Sequence, residues 1–156
     1  MSTVKAINLV HPSSASNNIV LDSSGNATVA NNVTVTGTGS VGGNLSFNSG
    51  YGSSVVAYGC RAWVNFNGTG TIAIRASGNV SSLTDGGTGD YVLNFSTAMP
   101  DVNYSVAGTC NNTGTQLAGN VLSARSLATA SCGVTTTDNN SDTMQDCNLV
   151  LAAVFR

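Results

Sequence analysis

At 156 residues and 15.7 kDa the chain has room for one compact domain, or one small domain with an appended segment, and is too short for a two-domain enzyme. Asn, Ser, Thr and Gly supply 75 of the residues, charged residues are 8%, glutamate is absent and lysine occurs once, so exposed helix faces have little to be built from, while 18 Val and 18 Thr favour a pleated backbone. A net charge of −2 withholds the clustered cations that a phosphate backbone attracts, which excludes nucleic acid as a partner.

In chain order, Met1 to Val10 holds one lysine and no apolar run of signal-peptide length, so no secretory route is expected. The longest unbroken apolar run, Leu149 to Phe155, is too short to span a bilayer as a helix. His11, the one histidine, precedes Pro12 and is expected at a surface or attachment point; three copies on an axis could hold a metal, but no second histidine is near.

From Ala27 to Phe47 the odd positions are Ala27, Val29, Asn31, Val33, Val35, Gly37, Gly39, Val41, Gly43, Leu45 and Phe47, and the even positions are nearly all polar. This period of two is extended chain with one apolar edge, punctuated into short strands by Asn31-Asn32, Gly37, Gly39 and Gly42-Gly43. Asn17–Leu21 echoes Asn31–Val35, and Gly25–Val29 echoes Gly43–Phe47, without a fixed period. One chain has nothing to cover the edge formed by Val29, Val33, Val35, Val41, Leu45 and Phe47. Residues 27–50 are therefore expected to form an intertwined β stalk of several identical chains.

Residues 51–156 hold all four tyrosines, the one tryptophan and all four cysteines. Strands are predicted at Val55–Phe66, Thr71–Ser77, Val80–Leu83, Tyr91–Phe95, Tyr104–Thr109, Asn120–Ala124, Ala128–Val134 and Cys147–Phe155. Asn67-Gly68, Asp85-Gly86-Gly87, Pro100-Asp101, Asn111-Asn112 and Asp138–Asp142 punctuate them, the pattern of a sandwich or Greek-key barrel of about 100 residues. The fold class is all-β. Cys60, Cys110, Cys132 and Cys147 contain no C-x-x-C pair; four buried free thiols are expected, with one or two bridges as the alternative and three pairings open if all four bridge.

No motif assembles a catalytic set. Gly37-Thr38-Gly39-Ser40-Val41-Gly42 fits G-x-G-x-x-G, but a strand pattern follows where a dinucleotide site needs a helix N-terminus. Asp138-Asn139-Asn140-Ser141-Asp142 begins like a calcium loop, yet Thr143 stands for the turn glycine and Leu149 for the bidentate glutamate. Asp85 and Asp90 are the best placed pair for glycoside hydrolysis, but they flank Gly86-Gly87-Thr88-Gly89, a hairpin tip. With His11 far from the tip domain, no Ser or Cys has a general base. Of nine Asn-x-Ser/Thr sequons the composition produces roughly four or five by chance, and with no signal peptide to route the chain to glycosylation the motif carries little information. Trp63, in Ala62-Trp63-Val64-Asn65-Phe66, is expected to pack structurally, and Tyr51 to sit between stalk and tip. Better binding candidates are the loop residues Asp85, Thr88 and Asp90, then Asn111, Asn112 and Thr113, then Asp138, Asn139, Asn140 and Asp142. No cofactor or metal is expected.

The run Cys60-Arg61-Ala62-Trp63-Val64-Asn65-Phe66-Asn67-Gly68-Thr69-Gly70, followed by Ile74-Arg75-Ala76-Ser77-Gly78-Asn79-Val80-Ser81, resembles the distal domain of bacteriophage tail fibres. Gly89-Asp90-Tyr91, Asn94–Asp101 and Tyr104 continue the resemblance, which covers about Val56 to Cys110; Ala27–Phe47 is similar to the stalks that precede such tips. The resemblance implies a homotrimeric virion fibre, assembled in the host cytoplasm, without enzymatic activity. Residues 1–26 would join the phage tail or baseplate, and the C-terminal sandwich knob would meet a host glycan or outer-membrane protein. A glycan-degrading tip using Asp85 and Asp90 and a capsid or tail decoration protein without a receptor are the alternatives.

Overall fold

The computed structural model describes residues 8–10, 12–16, 19–30, 32–47, 53–112 and 119–156; His11, Asn31, Tyr51 and Thr113, singled out above, lie outside them. The described residues form fourteen strands and no α-helix. They divide into two compact units, Met1–Leu45 and Ser46–Arg156.

In the first unit, β1 (Asn8–Leu9), β2 (Ile19–Leu21) and β3 (Ala27–Val29) make a small antiparallel sheet. The β2–β3 turn is built by Asp22, whose Oδ1 accepts the N–H groups of Ser24 and Asn26 at 2.9 and 2.8 Å while Gly25 takes φ +83°. Hydrogen bonding from Asn26 holds the Asp22 carboxyl below its ordinary range. The extended run expected up to Phe47 is strand only at Ala27–Val29 and again at β4 (Ser46–Phe47); the described residues between have no ladder. Alternation decides which side chains share a side, but a strand also needs a hydrogen-bonding neighbour, and after Val29 this single chain supplies none until β4. Val33 and Val35 are 67% and 59% exposed, and Val41, Leu45 and Phe47 are exposed to a similar degree.

In the second unit β4 pairs with β5 (Val55–Val56). The chain then builds one continuous antiparallel sheet from β6 (Cys60–Asn67), β7 (Ala73–Gly78), β8 (Val80–Gly87), β9 (Asp90–Phe95), β10 (Ser105–Asn111), β11 (Asn120–Arg125), β12 (Ser131–Asp138), β13 (Thr143–Met144) and β14 (Leu149–Phe155). The strand order is β7-β6-β14-β10-β11-β12-β9-β8, with β13 on β12. The edge strands β7 and β8 are consecutive in the chain and separated by Asn79 alone, so the sheet bends round until its edges meet at one corner and its inner face encloses a core. The result is a nearly closed barrel of one sheet where two stacked sheets were expected.

Period-two alternation fills that core: Ala62, Val64 and Phe66 from β6, Tyr91, Leu93 and Phe95 from β9, Cys132, Val134 and Thr136 from β12, and Val150, Ala152 and Val154 from β14 are buried. Phe66 meets Tyr91 edge to face at 5.1 Å between ring centres. Strand β12 runs past its predicted end at Val134 because Thr136, fully buried, donates its hydroxyl to the Gln145 carbonyl at 2.5 Å and so leaves no polar group unpaired. Asn79, at φ +57°, closes the corner by donating to the carbonyls of Arg61 and Thr97 at 3.1 and 3.0 Å.

Two expectations change. Trp63 alternates outward between Ala62 and Val64, is 45% exposed, and lays its indole over Gly78, its cross-strand partner, which has no side chain to obstruct it. Cys60 is exposed, being the first residue of β6 where the inward alternation starts at Ala62; the other three cysteines are buried, and all four are free.

Candidate functional site

Strand register decides which loops share an end. Asn67 pairs with Ala73, Asn111 with Leu149, Asn120 with Asp138, and Gly87 with Asp90, while Asp90 also faces Thr135 of β12. These residues therefore stand at one end of the barrel. The β6–β7, β8–β9 and β10–β11 connections and the β12–β13–β14 segment all emerge there, whereas the chain comes from β5 into Cys60 at the other end. Every loop residue singled out from the sequence, Thr113 excepted, is at this end.

The turns have local causes. The β8–β9 hairpin closes through Thr88 and Gly89, with Gly87 at φ +115° and Gly89 at φ +65°, and Asp85 accepts the Gly87 N–H at 2.9 Å. After β12, Asp138 caps its own turn by accepting the Asn140 N–H at 2.7 Å, and the Asp142 N–H returns to the Asp138 carbonyl at 3.0 Å with Asp142 at φ +50°. Asp85, Thr88, Asn111, Asn139, Asn140 and Asp142 are exposed. Asn112 is partly buried and turned inward, its Oδ1 accepting the Asn148 N–H at 3.2 Å. Asp90 is bound by Arg125, whose side chain crosses β12 over Gly133 to reach it.

Residues 145–148, none of them among the binding candidates read from the sequence, tie these loops together. Asp146 Oδ1 accepts the Gly89 N–H at 2.7 Å and the Tyr91 hydroxyl at 2.9 Å; Cys147 gives its carbonyl to the Gly68 N–H at 2.9 Å, and its Sγ takes the Asn120 carboxamide at 3.2 Å. The Thr136 N–H binds the Gly89 carbonyl at 2.8 Å and the Gln145 N–H binds the Thr136 carbonyl at 3.0 Å. Burial, then the hydrogen bond to Asp146, raises the Tyr91 phenol far above its ordinary value of 10.0, so it stays protonated and keeps its proton to donate. The β6–β7, β8–β9 and β10–β11 loops are thus pinned to one segment.

Five of the seven aspartates, Asp85, Asp90, Asp138, Asp142 and Asp146, gather at this end, and of these five only Asp90 forms an ion pair with an arginine among the described residues. The rim offers carboxylate, carboxamide and hydroxyl groups, suited to hydrogen bonding with a polyol and unsuited to a polyanion. Among the described residues no three His, Cys, Asp or Glu side chains are grouped as metal ligands.

Two grooves lie elsewhere. One, of about 500 Å³, runs over the outer face of β6, β14 and β10 between Trp63, Asn65, Ala107, Thr109, Leu151 and Ala153. The other, of about 490 Å³, lies at the Cys60 end between Tyr58, Asn103, Tyr104, Ser105, Phe155 and Arg156.

No protein-family model matches the chain, and no curated protein matches it. Among solved structures, the phiAB6 tailspike, crystallised in complex with three-repeated oligosaccharides of Acinetobacter baumannii surface polysaccharide, is similar at 15% identity and a TM-score of 0.46 over 96% of this chain. The chain spans 30% of the length of that tailspike chain.

Proposed function

We propose that the protein is the distal part of a phage tail fibre, a homotrimeric virion adhesin that performs no chemistry. It joins the tail or baseplate through residues 1–26, trimerises through residues 27–50, and binds a host-surface glycan with the loop end of its barrel. The observation that carries this reading is the gathering of Asp85–Asp90, Asn111–Asn112 and Asp138–Asp142 at the end opposite the one where the chain comes into the barrel. Loops pinned to a rigid β scaffold suit recognition. The resemblance of Val56–Cys110 to tail-fibre tips supports the same role.

Exposed Val33, Val35, Val41, Leu45 and Phe47 support self-association, since apolar side chains in such number are rarely left to water. Three tips on one fibre make weak sugar contacts sufficient. The acidic rim favours a neutral or amino-sugar glycan over an acidic one. Against hydrolysis stands Asp90, whose carboxylate is held in an ion pair by Arg125.

Light scattering of the purified chain is expected to give a trimer, and the protein is expected to adsorb to host cells and compete with the virion. A triple change, Asp138→Ala, Asn139→Ala and Asn140→Ala, should weaken adsorption at least tenfold and leave the trimer intact. A monomer overturns the fibre reading. A trimer that never adsorbs supports a decoration protein, and release of reducing ends that Asp85→Asn abolishes supports the enzyme.

A further inference from the structure

Two cysteines distant in sequence meet at the loop end. Cys110 points inward near the end of β10; its backbone partners are Val150 of β14 on one side and Asn120, the first residue of β11, on the other. Cys147 lies just before β14 in the segment that ties the loops, and its Sγ accepts the Asn120 carboxamide at 3.2 Å. Both are buried, at 5% and 0% exposure, and Asn120 links them, standing opposite Cys110 in the ladder while its carboxamide reaches the Cys147 sulfur; in keeping with that closeness, burial and then Cys147 push the Cys110 thiol up to about 12. The remaining cysteines are apart from them. Cys132 pairs with Leu93 deeper in the barrel, and Cys60 is exposed opposite Phe155.

We propose that Cys110 and Cys147 form a disulfide when the protein passes from reducing to oxidising surroundings, cross-linking β10 to residues 145–148 and locking the loop end. The oxidant is a small disulfide such as oxidised glutathione. The thiolate of one cysteine attacks it, forming a mixed disulfide and expelling one glutathione thiolate. The second cysteine, deprotonated, then attacks the protein-bound sulfur and expels the other. One S–S bond breaks and one forms, two electrons pass from the protein thiols to glutathione, and the two thiol protons end on the two glutathione thiols. Burial makes the step slow, because either sulfur is reached only through local opening. The bridge closes a loop of roughly 40 residues in the unfolded chain and stabilises the fold by restricting that chain. It holds the β10–β11 and β12–β14 connections in one arrangement, whatever the loop end binds.

The full-length protein is incubated under native conditions with oxidised and reduced glutathione in varied ratio, alkylated, and mapped by mass spectrometry without reduction. The expected result is a linked peptide pair containing Cys110 and Cys147, the loss of two titratable thiols beyond the one that glutathione caps on exposed Cys60, and a thermal midpoint raised on the order of 10 °C. Cys132→Ser should keep the linkage, while Cys110→Ser and Cys147→Ser should each abolish it. Four thiols persisting at the oxidising limit would overturn the proposal. So would linkage through Cys60 alone, or glutathione adducts without the linked pair. The wild-type map decides even where a serine variant fails to fold.

Discussion

The hydroxyl of Tyr91 shares its proton between the Gly68 carbonyl and Asp146 Oδ1, each at 2.9 Å, although Asp146 is 55 residues further along the chain. That contact joins the barrel wall to the segment tying its loops. A buried phenol with both partners in place contributes mainly by what its removal would leave unpaired.

Tyr91→Phe keeps the edge-to-face contact with Phe66 and removes only the donor. Its cost is expected at about 1–2 kcal/mol, read as a lower urea midpoint with unchanged slope. Asp146→Ala also strands the Gly89 N–H and should cost about 2–3 kcal/mol. The double variant should fall short of the sum, because the two residues share one bond.

Stability should fall on the alkaline side. Burial pushes Cys132 up to about 11, and burial with Cys147 pushes Cys110 up to about 12, against an ordinary 9.0. The unfolded chain releases these protons first, so their contribution is complete below pH 9 and is lost as pH rises toward the folded values. Each reduced thiol should contribute a slope of about 1.4 kcal/mol per pH unit above that point. Denaturation series at stepped pH should show a plateau followed by this decline. Cys132→Ser should remove about half of the slope between about pH 9 and 10, below the range where the raised Tyr91 and Tyr104 phenols add to it, and an unchanged slope there would refute the assignment.

Two glycines with similar backbones separate strain from crowding. Gly70, at φ +61°, has open space where an added methyl would project, so Gly70→Ala should cost about 1 kcal/mol from the left-handed conformation alone. Gly89, at φ +65°, would drive a methyl into the Thr136 carbonyl and the Gln145 backbone. Gly89→Ala should therefore cost about 3 kcal/mol or more, and chemical denaturation of both variants checks the difference.

Trp63 is the one tryptophan, so its fluorescence reports its packing directly. Gly78→Ala would place a methyl where the indole now lies. The ring must swing outward, and the emission maximum should shift to longer wavelength with a modest loss of stability. Asn65→Ala, on the same face but away from Gly78, should leave the emission unchanged.

Much of the second unit was legible from residues alone. Residue type places strands at Val55–Phe66, Tyr91–Phe95 and Cys147–Phe155, and Asn, Asp and Gly clusters mark the turns, whereas the alternation that turns one side of each strand inward is seen only in the fold. Trp63 departs from expectation because its position in that alternation, and not its aromatic character, sets the side on which it lies. In the first unit the same period of two overstated the strands, since nothing in a side-chain pattern supplies a backbone partner.

The sequence by itself determined an all-β chain with an apolar edge along residues 27–47 and polar loops between the later strands, because side-chain period and turn chemistry are local properties. Tertiary structure alone decided that β14 inserts between β6 and β10 and β12 between β11 and β9, and hence that the loops share one end under Asp146 and Cys147. Backbone ladders are chemically alike from strand to strand, so neighbours are chosen by closing the whole sheet round its core, which no local pattern encodes.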